Sequence, residues 1–107
     1  MLLAIDAGNT NIVFAVHDGT EVRGEWRAVT DTTRTADEYA VLLNPLLQLH
    51  GFSFSDLDAA IIATVVPAAL FDLRQFCRRY LKCDALVIGD ADVDLGIEVL
   101  TDRPEAV

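Results

Sequence analysis

The residues best suited to chemistry form one short tract, Asp6-Ala7-Gly8-Asn9-Thr10-Asn11. An apolar run, Leu2 to Ile5, delivers a carboxylate to its end, and a small residue and a glycine follow, so the backbone can turn tightly and approach a ligand closely. Asn9, Thr10 and Asn11 then supply amide and hydroxyl donors of the kind that hold phosphate oxygens. Backbone amides at Gly8, Asn9 and Thr10 can add to them. A carboxylate repels phosphate, so Asp6 must act through a cation; a water-bridged Mg²⁺ satisfies both groups. The same composition also suits a plain hairpin turn, because Asp, Gly and Asn favour turns for backbone reasons alone.

Other reactive residues are more scattered. His17 and His50 are isolated in sequence and read as surface or packing residues. Cys77 and Cys83 do not form a CxxC pair, and the pattern reads as two reduced thiols rather than a metal site. Asp90, Asp92 and Asp94 alternate, but the glycine and closing glutamate of a calcium loop are out of place. Arg74, Arg78, Arg79 and Lys82 read as a solvated helix face. Trp26 and Tyr39 read as core aromatics.

The elements that must position the tract follow from the hydrophobic pattern. Leu2–Ile5 reads as a buried strand, Asp6–Asn11 as a turn and Ile12–Val16 as a second strand. Asp18-Gly19 predicts a tight reversal. The alternation over 21–29 predicts a half-exposed third strand, with Val22, Gly24, Trp26 and Ala28 on one face. Thr35-Ala36-Asp37-Glu38 has the form of a capping box. It predicts a helix with Tyr39, Leu42, Leu43, Leu46 and Leu47 inward, broken or kinked between Val41 and Pro45, and stopped at Gly51. The apolar run 58–66 predicts a central parallel strand. Pro67 predicts the first turn of a helix reaching about Lys82, with Leu70, Leu73, Phe76, Cys77, Tyr80 and Leu81 on its inner face. Strands are expected at 85–88 and 97–100.

The order β-β-β-α-β-α-β is an α/β arrangement in which three antiparallel strands precede αβ units. It fits a mixed sheet of the ribonuclease-H-like, actin-like ATPase kind. At 107 residues the chain suits one domain with its own core. With 52% hydrophobic and 23% charged residues it is an ordinary globular composition. The net charge of -9 argues against nucleic acid and against anionic membranes, but not against a nucleotide held by amides and a metal. No signal-peptide pattern or bilayer-length apolar run is legible, which predicts a cytoplasmic protein. The chain stops after Pro104-Glu105-Ala106-Val107 with no closing helix or cap, which reads as a fragment boundary.

Four segments, in order, resemble type III pantothenate kinases. Asp6-Ala7-Gly8-Asn9-Thr10-Asn11 after an apolar strand is similar to the family's first phosphate motif. Thr35-Ala36-Asp37-Glu38-Tyr39 resembles the start of its first long helix. Ala63-Thr64-Val65-Val66-Pro67 resembles its second motif, usually SVVP, with Thr64 in place of Ser. Gly96-Ile97-Glu98 through Val107 resembles the approach to its third motif, GxDR. The resemblance implies that residues 1–107 are the amino-terminal ribonuclease-H-like domain of a two-domain kinase. That kinase would transfer the γ-phosphate of ATP to pantothenate, opening coenzyme A synthesis, with Mg²⁺ and a monovalent cation (K⁺ or NH₄⁺), as a homodimer. It implies an ATP site at Asp6, Ala7, Gly8, Asn9, Thr10 and Asn11, continued by Ile12 and Val13 as scaffold, with Asp6 serving the Mg²⁺. The family's catalytic Asp would lie beyond Val107, so no catalytic residue is assigned here, and Thr101 stands where some relatives have a Tyr near pantothenate. Two alternatives stay open: another actin-fold phosphotransferase, or a non-enzymatic regulatory relative.

Overall fold

Leu3, Ile5 and Ala7 alternate with Leu2, Ala4 and Asp6 along the first strand, and that alternation divides the whole molecule into two faces. A computed structural model describes residues 1–88. The strands are β1 (Leu2–Ala7), β2 (Asn11–His17), β3 (Val22–Val29), β4 (Ala59–Thr64) and β5 (Leu86–Ile88). They form one sheet in the order β3-β2-β1-β4-β5. β1 pairs antiparallel with β2 and parallel with β4, β2 pairs antiparallel with β3, and β4 pairs parallel with β5. The expected strand at 97–100, the Asp90-Asp92-Asp94 alternation and the segment from Gly96 lie outside the described residues.

Two helices follow, α1 (Ala36–Leu49) and α2 (Pro67–Phe76). Both pack on the face that carries Leu3, Ile5, Ala7, Ile12, Phe14, Val16, Ala60 and Ile62. Tyr39, Leu43 and Leu47 from α1 and Leu73 and Phe76 from α2 complete that core, each fully buried. Tyr39 lies edge-on to Phe14 with centroids 6.3 Å apart and tilted to Phe76 at 6.4 Å. Both spacings lie in the favourable range for aromatic pairs.

The start of α1 follows its sequence signal. Thr35 Oγ1 accepts from the Glu38 amide at 3.2 Å, and Glu38 Oε1 accepts from the Thr35 amide at 2.9 Å. Its end follows too. The Phe52 amide donates to the Leu47 carbonyl at 2.9 Å and the Gly51 amide to the Gln48 carbonyl at 3.0 Å, with Gly51 at φ +82°. This double closure requires a left-handed residue at Gly51, which glycine adopts without strain. The break expected near Pro45 is not found: α1 runs unbroken through it. Pro45 and Val41, one turn before it, are both exposed, so the carbonyl deprived of an amide partner lies on the wet side of the helix.

The second helix departs from expectation at its end. The inner-face residues Leu73, Phe76, Cys77 and Leu81 are buried as predicted. The last stretch, Cys77–Leu81, is a π-turn rather than α-helix, and Lys82 ends it in the left-handed region at φ 59°. The wider turn keeps Phe76, Cys77 and Leu81 in the core together, a demand of packing that helical periodicity does not express. Burial pushes the Cys77 thiol up to about 12, with Cys83 nearby adding to the shift. Cys77 is thus an inert core residue. His17 and His50 have packing roles: His17 is buried with Nδ1 accepting from the Gly19 amide at 3.0 Å, and His50 sits edge-on to Trp26 at 5.0 Å.

Tyr39 Oη finds no hydrogen-bond partner among the described residues, although the ring is fully buried. Two substitutions in α1 should therefore shift stability in opposite directions. Thr35→Ala, which removes the cap, should lower the unfolding free energy by about 1 kcal/mol. Tyr39→Phe, which removes an unsatisfied buried hydroxyl, should raise it by about 1 kcal/mol. Urea unfolding midpoints check both, and a Tyr39→Phe protein weaker than the parent would mean that the hydroxyl has a partner.

Candidate functional site

The chain reverses between β1 and β2 over three residues, Gly8, Asn9 and Thr10. The strand ladder runs closer to the reversal than the sequence suggests. Asp6 and Ala7 belong to β1, and Asn11 opens β2, so the turn expected over Asp6–Asn11 is only its middle three residues. The reason is the register: Asp6 pairs with Val13 and Ala7 with Ile12, and on the other side Asp6 pairs with Ala63 and Ala7 with Thr64. Asp6 is therefore held in β1 by ladder pairing on both sides despite its polar side chain.

This register distributes the eight candidate residues. Ala7 and Ile12 are fully buried in the helix-covered core, so only their backbone is near the turn. Asp6, Asn9, Thr10 and Asn11 are exposed, and Gly8 and Val13 are half-buried. Asp6 stands on the face opposite the helices, with Val13 and Ala63 as its cross-strand neighbours. Among the described residues no cation pairs with the Asp6 carboxylate, and the side chains of Asn9 and Thr10 make no hydrogen bond. The tract thus ends as an open ledge of donors with one free carboxylate beside it.

The turn is held from within and from two neighbours. The Gly8 amide donates to the Asn11 carbonyl at 2.9 Å, so this amide is used inside the turn, while the Asn9 and Thr10 amides have no backbone partner among the described residues. A Cβ on Gly8 would meet that same Asn11 oxygen at 3.2 Å, which is why glycine fits there. Its role is close approach, since Gly8 does not have a positive φ. From the β3–α1 connection, Thr30 Oγ1 donates to the Gly8 carbonyl at 2.7 Å and the Thr30 amide to the Thr10 carbonyl at 2.9 Å. From the β4–α2 junction, the Val65 amide donates to the Ala7 carbonyl at 3.2 Å.

That junction reads as a strand end leading into a helix. Thr64 Oγ1 accepts from the Val66 amide at 2.8 Å and lies 3.1 Å from the Val66 carbonyl, to which it donates. The hydroxyl shapes the turn into Pro67, the first residue of α2. The junction thus sits beside the β1 end, at the carboxyl edge of two adjacent parallel strands. In open α/β sheets that edge is where ligands bind.

Thr30 is a site neighbour that the sequence reading did not single out. Its proximity depends on Asn11 pairing with Val29, a register that no local pattern encodes. The connection itself is ordered by its own side chains. Asp31 Oδ1 accepts from Thr33 Oγ1 at 2.6 Å and from the Thr33 amide at 2.9 Å, and these bonds hold the Asp31 carboxyl below the usual carboxylate range. Arg34 donates to the Val29 carbonyl at 3.1 Å and lies over the Tyr39 ring, 5.6 Å from its centroid. A surface groove lined by Asp37, Val41, Asn44, Pro45, Phe54 and Tyr80 includes none of the tract.

The family model for type III pantothenate kinase matches residues 2–107. The chain belongs to the type III pantothenate kinase family. It is 63% identical to the type III pantothenate kinase of Paramagnetospirillum magneticum, over all of this chain and 41% of that protein. It is 58% identical to that of Rhodospirillum rubrum, over all of this chain and 42% of the relative. The chain thus spans about two-fifths of the length of these curated relatives. Among solved structures it is similar to a ROK hexokinase from Thermus thermophilus, at TM-score 0.68 and 18% identity over 91% of this chain and 37% of the other. A putative N-acetylglucosamine kinase from Porphyromonas gingivalis aligns at TM-score 0.61 and 21% identity, over 90% and 38%. At those identities the likeness is one of fold, and the fold is the ribonuclease-H-like, actin-like one expected from the element order. No helix among the described residues is long and apolar enough to cross a membrane.

The Asp31–Thr33 bonds of the β3–α1 connection carry a pH dependence. A carboxyl whose folded value is depressed adds stability above its unfolded value and loses it as pH falls through the folded one. The Thr33 amide resonance should therefore titrate with a midpoint below that of an ordinary aspartate. A midpoint at or above the ordinary value would show that Asp31 does not hold this connection.

Proposed function

We propose that residues 1–107 form the amino-terminal domain of a two-domain kinase and supply one wall of its ATP site. The kinase phosphorylates the primary hydroxyl of pantothenate, giving 4'-phosphopantothenate, the first step of coenzyme A biosynthesis. The observation that carries this reading is the open Gly8–Thr10 turn with the free Asp6 carboxylate beside it, at the carboxyl edge of the central strands, in a chain of this family.

Each residue has a part in that reading. The amides and side chains of Asn9 and Thr10, which have no hydrogen-bond partner among the described residues, bind and orient phosphate oxygens. Asn11, exposed at the start of β2, extends the donor row. Ala7, Ile12 and Val13 hold the ledge in place through the sheet. The donor set fits Mg²⁺ in one way. No group of three or more His, Cys, Asp or Glu side chains among the described residues could hold a metal directly, whereas one exposed carboxylate suits an ion that keeps its waters and rides on the phosphates. Asp6 would hold it through water, and the ion when bound supplies charge neutralisation for the transferring phosphoryl group. Phosphoryl transfer is largely positioning and charge stabilisation, so one wall of a cleft has little activity without the groups that orient the acceptor. The monovalent cation (K⁺ or NH₄⁺), the homodimer and a cytoplasmic setting complete the proposal by family membership.

The test is pantothenate-dependent ADP release with Mg²⁺ and K⁺. It is run on this chain and on a polypeptide extending it over the full length of its relatives. The extended protein should turn over only with pantothenate present, and Asp6→Asn should lower kcat at least about a hundredfold, as the loss of a charge-stabilising group does. The 107-residue chain should show no pantothenate-dependent turnover. Full activity in the Asp6→Asn protein would remove Asp6 from the site, and an inactive extended protein would overturn the kinase reading.

A further inference from the structure

We infer that Thr30 is a positioning residue for the phosphate turn: its hydroxyl aims the Asn9 amide at the bound anion. The inference rests on the reading of Gly8–Thr10 as a phosphate site. The Gly8 carbonyl and the Asn9 N–H belong to one planar trans peptide and point in opposite directions. Thr30 Oγ1 holds that carbonyl at 2.7 Å, so the Asn9 N–H is turned away from Thr30. The Thr30 amide holds the Thr10 carbonyl at 2.9 Å and by the same geometry turns the Asn11 N–H away. One residue thus clamps two carbonyls of a three-residue turn, and both are oxygens that would repel a phosphate if they rotated toward it.

The rest of the turn makes this clamp matter. The Gly8 amide is committed to the Asn11 carbonyl, so the Asn9 and Thr10 amides are the ones left to a ligand. Neither residue is packed: both are exposed, and their side chains have no partner among the described residues. Among the described residues, the peptide between Gly8 and Asn9 therefore has only the Thr30 hydroxyl to hydrogen-bond its carbonyl and set its orientation. Thr30 in turn is placed by the end of β3 and by the Asp31–Thr33 and Arg34–Val29 hydrogen bonds. Thr30 does not itself need to touch the ligand.

The experiment is a titration of the ¹⁵N-labelled 107-residue chain with Mg·ATP, following the Asn9 and Thr10 amides. Thr30→Ser keeps the hydroxyl, and Thr30→Val and Thr30→Ala remove it. The Asn9 and Thr10 amides of the parent chain should shift on titration. Thr30→Ser should bind like the parent, whereas Thr30→Val should bind about fivefold more weakly, the worth of one neutral hydrogen bond. Its β1 and β2 amides should be unchanged, and Thr30→Ala serves if the valine variant does not fold. A purely structural role would lower the unfolding midpoint without weakening Mg·ATP binding in the folded fraction. Parental affinity in both hydroxyl-free variants overturns the inference, as does a serine variant as weak as they are. If the parent's Asn9 and Thr10 amides do not respond to Mg·ATP, the phosphate reading itself fails and takes the role of Thr30 with it.

Discussion

The structure depends on β1 being hydrogen-bonded along both edges. Its antiparallel partner β2 must return along the same line, which forces the chain to reverse at the end of β1. Its parallel partner β4 brings a second strand end, and the start of α2, to the same edge. A strand in this position is buried on its helix-covered face from Leu3 to Ala7, and its polar groups can appear only on the other face or beyond its end. Asp6 and the Gly8–Thr10 turn occupy those two places. The same pairing that stabilises the sheet therefore leaves the carboxylate exposed beside a row of donors.

That arrangement lets a strongly acidic chain present a row of donors suited to an anion. With a net charge of -9, long-range attraction cannot bring an anion to this protein. Local dipoles can: amides held in fixed directions cost no reorganisation when the anion arrives. Holding them requires that the carbonyls of the same peptides be engaged elsewhere. Here that engagement comes from Thr30 after β3, which donates to the Gly8 and Thr10 carbonyls, while the Gly8 amide is tied to the Asn11 carbonyl within the turn. The turn is therefore only as ordered as the β2–β3 pairing and the connection into α1, whose capping box and Asp31–Thr33 bonds anchor it from the far side.

Much of this was legible before any coordinates. Leu2–Ile5 and the largely apolar run 58–66 announce buried strands, the second observed as Ala59–Thr64, and Thr35 with Glu38 announces a helix start through a reciprocal hydrogen bond within four residues. Such signals survive because each is decided by neighbours in sequence. Pro45 shows the opposite case. Its local cost is real, but whether it breaks the helix depends on which side the orphaned carbonyl faces, and that is set by packing. The π-turn at Cys77–Leu81 has the same origin: three buried side chains must reach one core, and the backbone widens to let them.

The sequence by itself determined the element order β-β-β-α-β-α-β, the caps of α1, the inward faces and the tract in which phosphate-binding residue types cluster. Each follows from composition or from a period of two or of about three and a half residues, and periods need no partner to be read. Tertiary structure alone decided where the turn begins and ends, that the Ala7 and Ile12 side chains are withdrawn into the core while Asp6 is left outside, and that Thr30 braces Gly8. Those facts depend on register between strands. Shifting a register by one residue would exchange the two faces without changing a single local propensity.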